Sequence, residues 1–91
     1  MMRKVIPSTK FRRDYKRECK SDAKLESLLA SVIETLANDK PLPERMRDHA
    51  LSGEWADTRE CHVKPDLLLI YRKGEGELGL VRLGSHSELF G

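Results

Sequence analysis

Three histidines, an arginine, an aspartate and a terminal phenylalanine are the residues of this chain best suited to chemistry. His86 sits in Arg82-Leu-Gly-Ser-His86-Ser-Glu-Leu-Phe90-Gly91, while His49 and His62 lie upstream in segments that read as strands or strand ends, and Asp66 follows Pro65. An imidazole with an ordinary pKa of about 6.5 gives or takes a proton near neutral pH. Arginine keeps its charge and presents two donors to two oxygens. The inventory suits moving protons around a phosphodiester, provided one fold brings the residues together.

Each residue also has a plainer use. Asp66, after a proline, can be a turn residue bonded to its own backbone. Arg82 can pair with Glu60 across a sheet, and Phe90 can seal the edge of a core. Trp55, the sole tryptophan, flanks a predicted turn and reads as structural, and Cys61 reads as a small core residue. A metal site would be a rival use of three histidines and an aspartate. No histidine pair has the i, i+4 helical spacing of a zinc hydrolase, and two cysteines without a CxxC pair do not make a structural zinc, so no metal or other cofactor is expected.

Length and charge bound the rest. Ninety-one residues, 38% hydrophobic and 35% charged, predict a single globular domain over 1–91 with a thin core, and function on a surface groove. The longest apolar run, 67–71, is too short to span a membrane, and the apolar stretch before Pro7 is too short for a secretory signal, so a cytoplasmic location with reduced cysteines is expected. Net charge is +2, yet the first 20 residues carry eight Lys or Arg against two acids, a net of +6 that leaves −4 for the remainder. On a helix from about Lys10 to Lys20, capped by Ser8 or Thr9, Phe11, Tyr15 and Cys19 share one face. Lys10, Arg13, Arg17 and Lys20 fall on the other, as a phosphate-binding track or a solvated face.

The elements that must position the chemistry follow from periodicity. Leu25, Leu28, Leu29, Val32, Ile33 and Leu36 form one helical stripe, with Ser21 or Asp22 as N-cap and Asn38-Asp39-Lys40-Pro41 as the stop. The two helices make a hairpin. Arg59 to Val63 alternates, with Cys61 and Val63 on one side and Glu60 and His62 on the other. Leu67 to Arg72 reads as a buried central strand, Gly74-Glu75-Gly76 as a hairpin turn, and Leu78 to Leu83 as a last strand with Val81 and Leu83 on one face and Leu80 and Arg82 on the other. A short strand near Lys4 to Ile6 pairs at an edge. The predicted class is α+β, with an N-terminal strand and a two-helix hairpin packed on one face of a small, mainly antiparallel sheet. Polar residues of successive strands can then share the open face.

The second half also has a specific spelling: Asp48-His49-Ala50-Leu51-x-Gly53-x-Trp55, Arg59-Glu60-x-His62-x-x-Pro65-Asp66, Leu68-Leu69-Ile70-Tyr71, and Arg82-Leu-Gly-x-His86-x-x-Leu89-Phe90. In order and spacing it resembles the YafQ branch of the RelE superfamily, bacterial type II toxins, over roughly residues 41–91. Two departures stand out. Ala50 replaces a frequent proline, and Leu67 replaces a common aromatic, which removes a potential base-stacking surface.

The resemblance implies a RelE-like fold and an endoribonuclease that cuts mRNA in the ribosomal A site and is silenced by a cognate antitoxin. That partner would be a separate, DinJ-like protein whose DNA-binding end contacts operator DNA for the complex. RNA is cleavable without metal when its own 2′-hydroxyl attacks the adjacent phosphate. The protein must then remove a proton, donate a proton and stabilise a crowded phosphorane. By resemblance His86 is the general acid and Arg82 suits the phosphate. His62 or Asp66 is the base, or Asp66 orients His62. His49 is either a proton-transfer partner or a substrate contact, and Phe90 holds His86 or stacks on a base. Lys64 joins Lys10, Arg13, Arg17 and Lys20 as an RNA contact. The competing functions are a toxin of the same fold family that only binds a protein target, and a plain RNA-binding module.

Overall fold

The computed structural model describes residues 2–91. Strand β1 (Lys4–Pro7) leads into helices α1 (Thr9–Lys20) and α2 (Leu25–Ala37). A 3₁₀ turn, Glu44–Met46, precedes the two-residue strand β2 (His49–Ala50), and a second, Gly53–Trp55, precedes β3 (Arg59–Lys64). Strands β4 (Leu67–Gly74) and β5 (Glu77–Gly84) and the short helix α3 (His86–Phe90) complete the chain. The five strands form one sheet in the order β1-β5-β4-β3-β2, with β1 parallel to β5 and every other pair antiparallel. This is the expected α+β architecture. Among the described residues no helix is long and apolar enough to cross a membrane.

Local chemistry explains the helix ends. Ser8 is extended and its hydroxyl accepts the Phe11 N–H at 2.9 Å, satisfying one of the orphan donors of α1. The same hydroxyl donates to the Val81 carbonyl at 2.8 Å, tying the helix start to β5. At α2 the expected cap shifts. Lys24 is the N-cap and lends no side-chain bond, whereas the Asp22 carboxylate accepts the Lys24 N–H at 3.0 Å in a turn just before the helix. Asn38 ends α2, its N–H returning to Glu34.

The core lies between the helices and the sheet. Leu25, Leu29, Val32 and Leu36 from α2 and Phe11 from α1 meet Cys61, Val63, Leu69, Tyr71, Leu78, Leu80 and Leu83. Burial pushes the Cys61 thiol up to about 12, which suits an inert core residue. The Tyr71 hydroxyl donates to Asp48, and Arg59 Nε reaches the same carboxylate at 3.1 Å, so the loop before β2 is anchored on the sheet.

Two expectations about the faces need correction. The open face carries a second apolar cluster of its own, Leu68, Ile70 and Leu89, with Leu51, Trp55, Val81 and Phe90 packed against it. Alternation along β5 is also broken. Ile70 pairs with Arg82 and the next residue, Tyr71, pairs with Leu80, so Val81 is an extra residue bulged out of the ladder. Leu80 and Leu83 therefore both join the helix-side core, and Val81 joins the opposite cluster.

At the bulge, Arg82 binds the buried Asp14 of α1 through Nε at 2.7 Å and Nη2 at 3.3 Å, and the Leu83 N–H donates to the same carboxylate at 3.0 Å. The alternative Arg82–Glu60 pair does not form. Burial works to raise the Asp14 carboxyl, but the Arg82 hydrogen bond, the Leu83 N–H and the nearby guanidinium charges outweigh it and hold the group below the usual carboxylate range. A value lower in the folded than in the unfolded chain contributes stability above about pH 4 that is lost as pH falls through the folded value. Asp14→Asn is therefore expected to cost about 3 kcal/mol in urea denaturation at pH 7, with the difference from wild type shrinking as pH is lowered from about 4 towards 2. Equal midpoints at pH 7 would show that this contact holds nothing together.

Candidate active site

Antiparallel pairing builds the site on the face opposite the helical hairpin. On β3, Glu60 and His62 share a side by strand alternation, and β2 sets His49 directly across from Glu60. The buried Glu60 offers one oxygen, Oε1, to both rings, 3.7 Å from His49 Nε2 and 3.6 Å from His62 Nε2. Continuing across the sheet, Glu60 is level with Ile70 and Ile70 with Arg82, while His62 is level with Leu68 and Leu68 with Gly84.

His49 is oriented by the backbone. Its Nδ1 lies 2.6 Å from the Arg47 carbonyl. A carbonyl only accepts, so the proton of the neutral ring belongs on Nδ1 and Nε2 carries the lone pair, turned towards Glu60. Arg47 reaches this position in the left-handed region, φ 47° and ψ 47°.

His86 is held by α3. Ser85 caps this helix, accepting the Glu88 N–H at 3.2 Å while the Glu88 carboxylate accepts the Ser85 N–H at 2.8 Å. Those same contacts with Ser85 hold the Glu88 carboxyl below its usual range. Leu89 anchors the helix in the open-face cluster. One turn on from His86, the Phe90 ring lies 5.0 Å from the imidazole, and Trp55 meets the other edge of Phe90 at 5.7 Å, T-shaped. Phe90 thus holds His86, and Trp55 braces Phe90. With strands about 4.8 Å apart, the end of β5 that leads to His86 lies about 10 Å from β3. Leu68 and Ile70 of β4 form the floor between them.

The remaining predicted residues are dispersed. Arg82 is three-quarters buried, with Nε and Nη2 turned to Asp14. Lys10, Arg13, Arg17 and Arg82 line a shallow groove of about 220 Å³ beside Asp14. Arg17 is also drawn to Asp14, Glu18 and Glu88. Lys20 is exposed at the end of α1, outside that lining. Lys64 pairs with Asp22. Asp66 is exposed at the tip of the β3–β4 turn and makes no ion pair within 4.0 Å among the described residues, so the carboxylate beside His62 is Glu60 instead. Glu60 and Asp14 are the two carboxylates that reasoning from sequence did not place at the site. Glu60 was signalled by its shared face with His62, and Asp14 by its place one turn after Phe11 on the inward side of a basic helix.

No group of three or more His, Cys, Asp or Glu side chains arranged to hold a metal ion occurs among the described residues. The family model described as the bacterial toxin of type II toxin-antitoxin system, YafQ, matches residues 3–91. The mRNA interferase toxin YafQ of Escherichia coli strain K12 is 33% identical over 91 residues, covering 100% of this chain and 99% of the relative. Among solved structures, a copper-bound point mutant of a toxin from Helicobacter pylori is 44% identical with a TM-score of 0.92 and covers 98% of this chain and 100% of that one. The Escherichia coli DinJ-YafQ toxin-antitoxin complex matches at 34% identity and a TM-score of 0.85, with 100% of both chains covered.

The fold and its histidine-bearing face define a RelE-like α+β toxin domain. Within that class, the chain belongs to the YafQ family of bacterial type II toxin-antitoxin toxins. The backbone contact at His49 makes a prediction independent of activity. Nitrogen-15 NMR of the imidazoles at about pH 8 should find the neutral His49 ring protonated on Nδ1; an Nε2-protonated ring would remove the orientation argued from Arg47.

Proposed function

We propose that this toxin is an mRNA endoribonuclease that acts on ribosome-bound message by metal-free acid and base catalysis. The observation that carries the reading is the arrangement of two proton-transfer stations on either side of β4: His86 stacked on Phe90, and His49 with His62 sharing Glu60. In the reaction, the 2′-hydroxyl loses its proton and its oxygen attacks the adjacent phosphorus. The bond from phosphorus to the 5′-oxygen breaks, leaving a 2′,3′-cyclic phosphate and a 5′-hydroxyl. One station takes the first proton and the other supplies the second.

His86 is the acid in this scheme, because it is exposed, lies against Phe90 and stands where the resemblance to the YafQ branch implies a catalytic histidine. The choice of base shifts with the geometry. Asp66 stands alone at a turn tip, whereas His62 and His49 each have Glu60 beside them to balance the charge of a protonated ring. His62 is the preferred base and His49 the second proton carrier. Arg82, oriented by Asp14, retains Nη1 for a phosphate oxygen. Lys10, Arg13, Arg17, Lys20 and Lys64 supply the positive surface for RNA phosphates.

The likeness to the DinJ-YafQ complex supports a separate antitoxin chain as partner, with operator DNA contacted only through that complex. Work on the ribosome carries a cytoplasmic location with it.

His86→Gln is expected to lower RNA cleavage by about 10²-fold or more while circular dichroism and melting stay those of wild type, since the ring is exposed. Cleavage should persist in EDTA and vanish on RNA carrying a 2′-deoxy sugar at the scissile position. Message cleavage by folded His86→Gln, or cutting of the deoxy substrate, would defeat the mechanism, and a toxin that arrests growth without any cleavage would return the non-catalytic reading.

A further inference from the structure

The strand that carries His62 has an edge that the fold leaves unfilled. β2 is two residues long and pairs only with Arg59 and Glu60, so β3 continues beyond Glu60 without a strand on that side. The Glu44–Met46 turn and the Leu28 side of α2 flank this stretch, and a groove of about 560 Å³ lies between them. Three cations line it, Arg45, Arg47 and Lys64, over an apolar floor that includes Met46 and Pro65, and His62 forms part of its wall. Lys64 has Asp22 as a partner, while Arg45 and Arg47 are exposed and make no ion pair among the described residues.

We infer that this groove is a subsite for the nucleotide next to the scissile phosphate, holding its phosphate with Arg45 and Arg47 and its base against the apolar floor. The inference rests on the ribonuclease reading above. It follows from His62 being shared. A strand whose sugar is within reach of His62 must continue past it, and the adjoining surface is concave, cationic and apolar at its base. Those are the properties that a phosphate and a base require together. Arginine serves both halves, since its guanidinium pairs with phosphate oxygens and stacks on a base plane. An acidic peptide would use the cations but has no reason to need the continuity with His62, so RNA is the favoured occupant.

The test is binding of a fluorescein-labelled, 2′-O-methyl single-stranded RNA, which cannot be cleaved, measured by anisotropy across a salt series. Arg45→Ala combined with Arg47→Gly removes both guanidinium groups and suits the left-handed backbone at 47; Arg45→Glu alone leaves that turn untouched. Both variants should bind about tenfold more weakly at ~0.1 M salt, and the double variant should flatten the log–log salt slope by about one unit. Lys4→Ala with Arg72→Ala, at the opposite end of the sheet, should do neither. An abasic oligonucleotide should bind wild type more weakly and lose less on the double substitution. Wild-type affinity in both folded groove variants would overturn the subsite, as would a loss of antitoxin binding with RNA binding intact. If wild type cleaves RNA in the same preparation, the ribonuclease reading survives that failure; if wild type cleaves nothing, the reading itself has failed.

Discussion

The seating of the basic helix against the last strand depends on one buried carboxylate, Asp14. Asp14 is the buried acid of a basic helix, and it receives three donors from β5: two from the Arg82 guanidinium and one from the Leu83 amide. An unpaired carboxylate at that depth would be costly, so the helix has one register against the sheet in which its charge is met. The same contact fixes the side chain at the bulge. Arg82 is turned by Asp14 and α1 is seated by it. Gly84, two residues further, has only 3.3 Å of room at its Cβ position towards Glu88 and Leu89, so α3 follows β5 at close range. Helix, bulge and terminal turn form one unit, and His86 inherits its position from it.

The opposite flank works by a different economy. Glu60 is buried beside two imidazoles, one of which is oriented by a main-chain carbonyl. One carboxylate oxygen thus faces a ring nitrogen of each imidazole. His86 has no such carboxylate within ion-pair distance among the described residues; the capped α3 carries it and the Phe90 ring lies against it. One flank sets its rings beside a buried carboxylate, and the other rests its ring on an aromatic support. The asymmetry is what the proposed division into a base flank and an acid flank rests on.

Much of this was legible in the chain. The Leu25-to-Leu36 stripe, the alternation that puts Glu60 beside His62, and the Gly74-to-Gly76 turn are local signals, and local signals become structure when nothing contradicts them. The spelling around His49, His62 and His86 carried the family. What stayed hidden was non-local. The bulge at Val81 exists only because β4 and β5 pair in one register, and no period-2 pattern along β5 contains that information. Arg82 and Asp14 are 68 positions apart, so the true partner lay outside any window, and a cross-sheet pair with Glu60 was the alternative that strand pairing offered. The cap of α2 moved from Ser21 or Asp22 to Lys24 because the Asp22 side chain closes a turn before the helix begins.

The parallel pairing of β1 with β5 has a consequence for how the molecule comes into being. The Ser8 hydroxyl bonds a carbonyl 73 positions later, and the first strand can complete its ladder only when the last has been made. Such a long-range pairing forms late, because distant segments must meet before any of their contacts is rewarded. During synthesis the first strand and the basic helix emerge without their sheet partner. The histidine nearest the C-terminus cannot take its place until β5 has docked. A nascent chain thus carries its first strand and basic helix unpaired until the strand that seats both has been made.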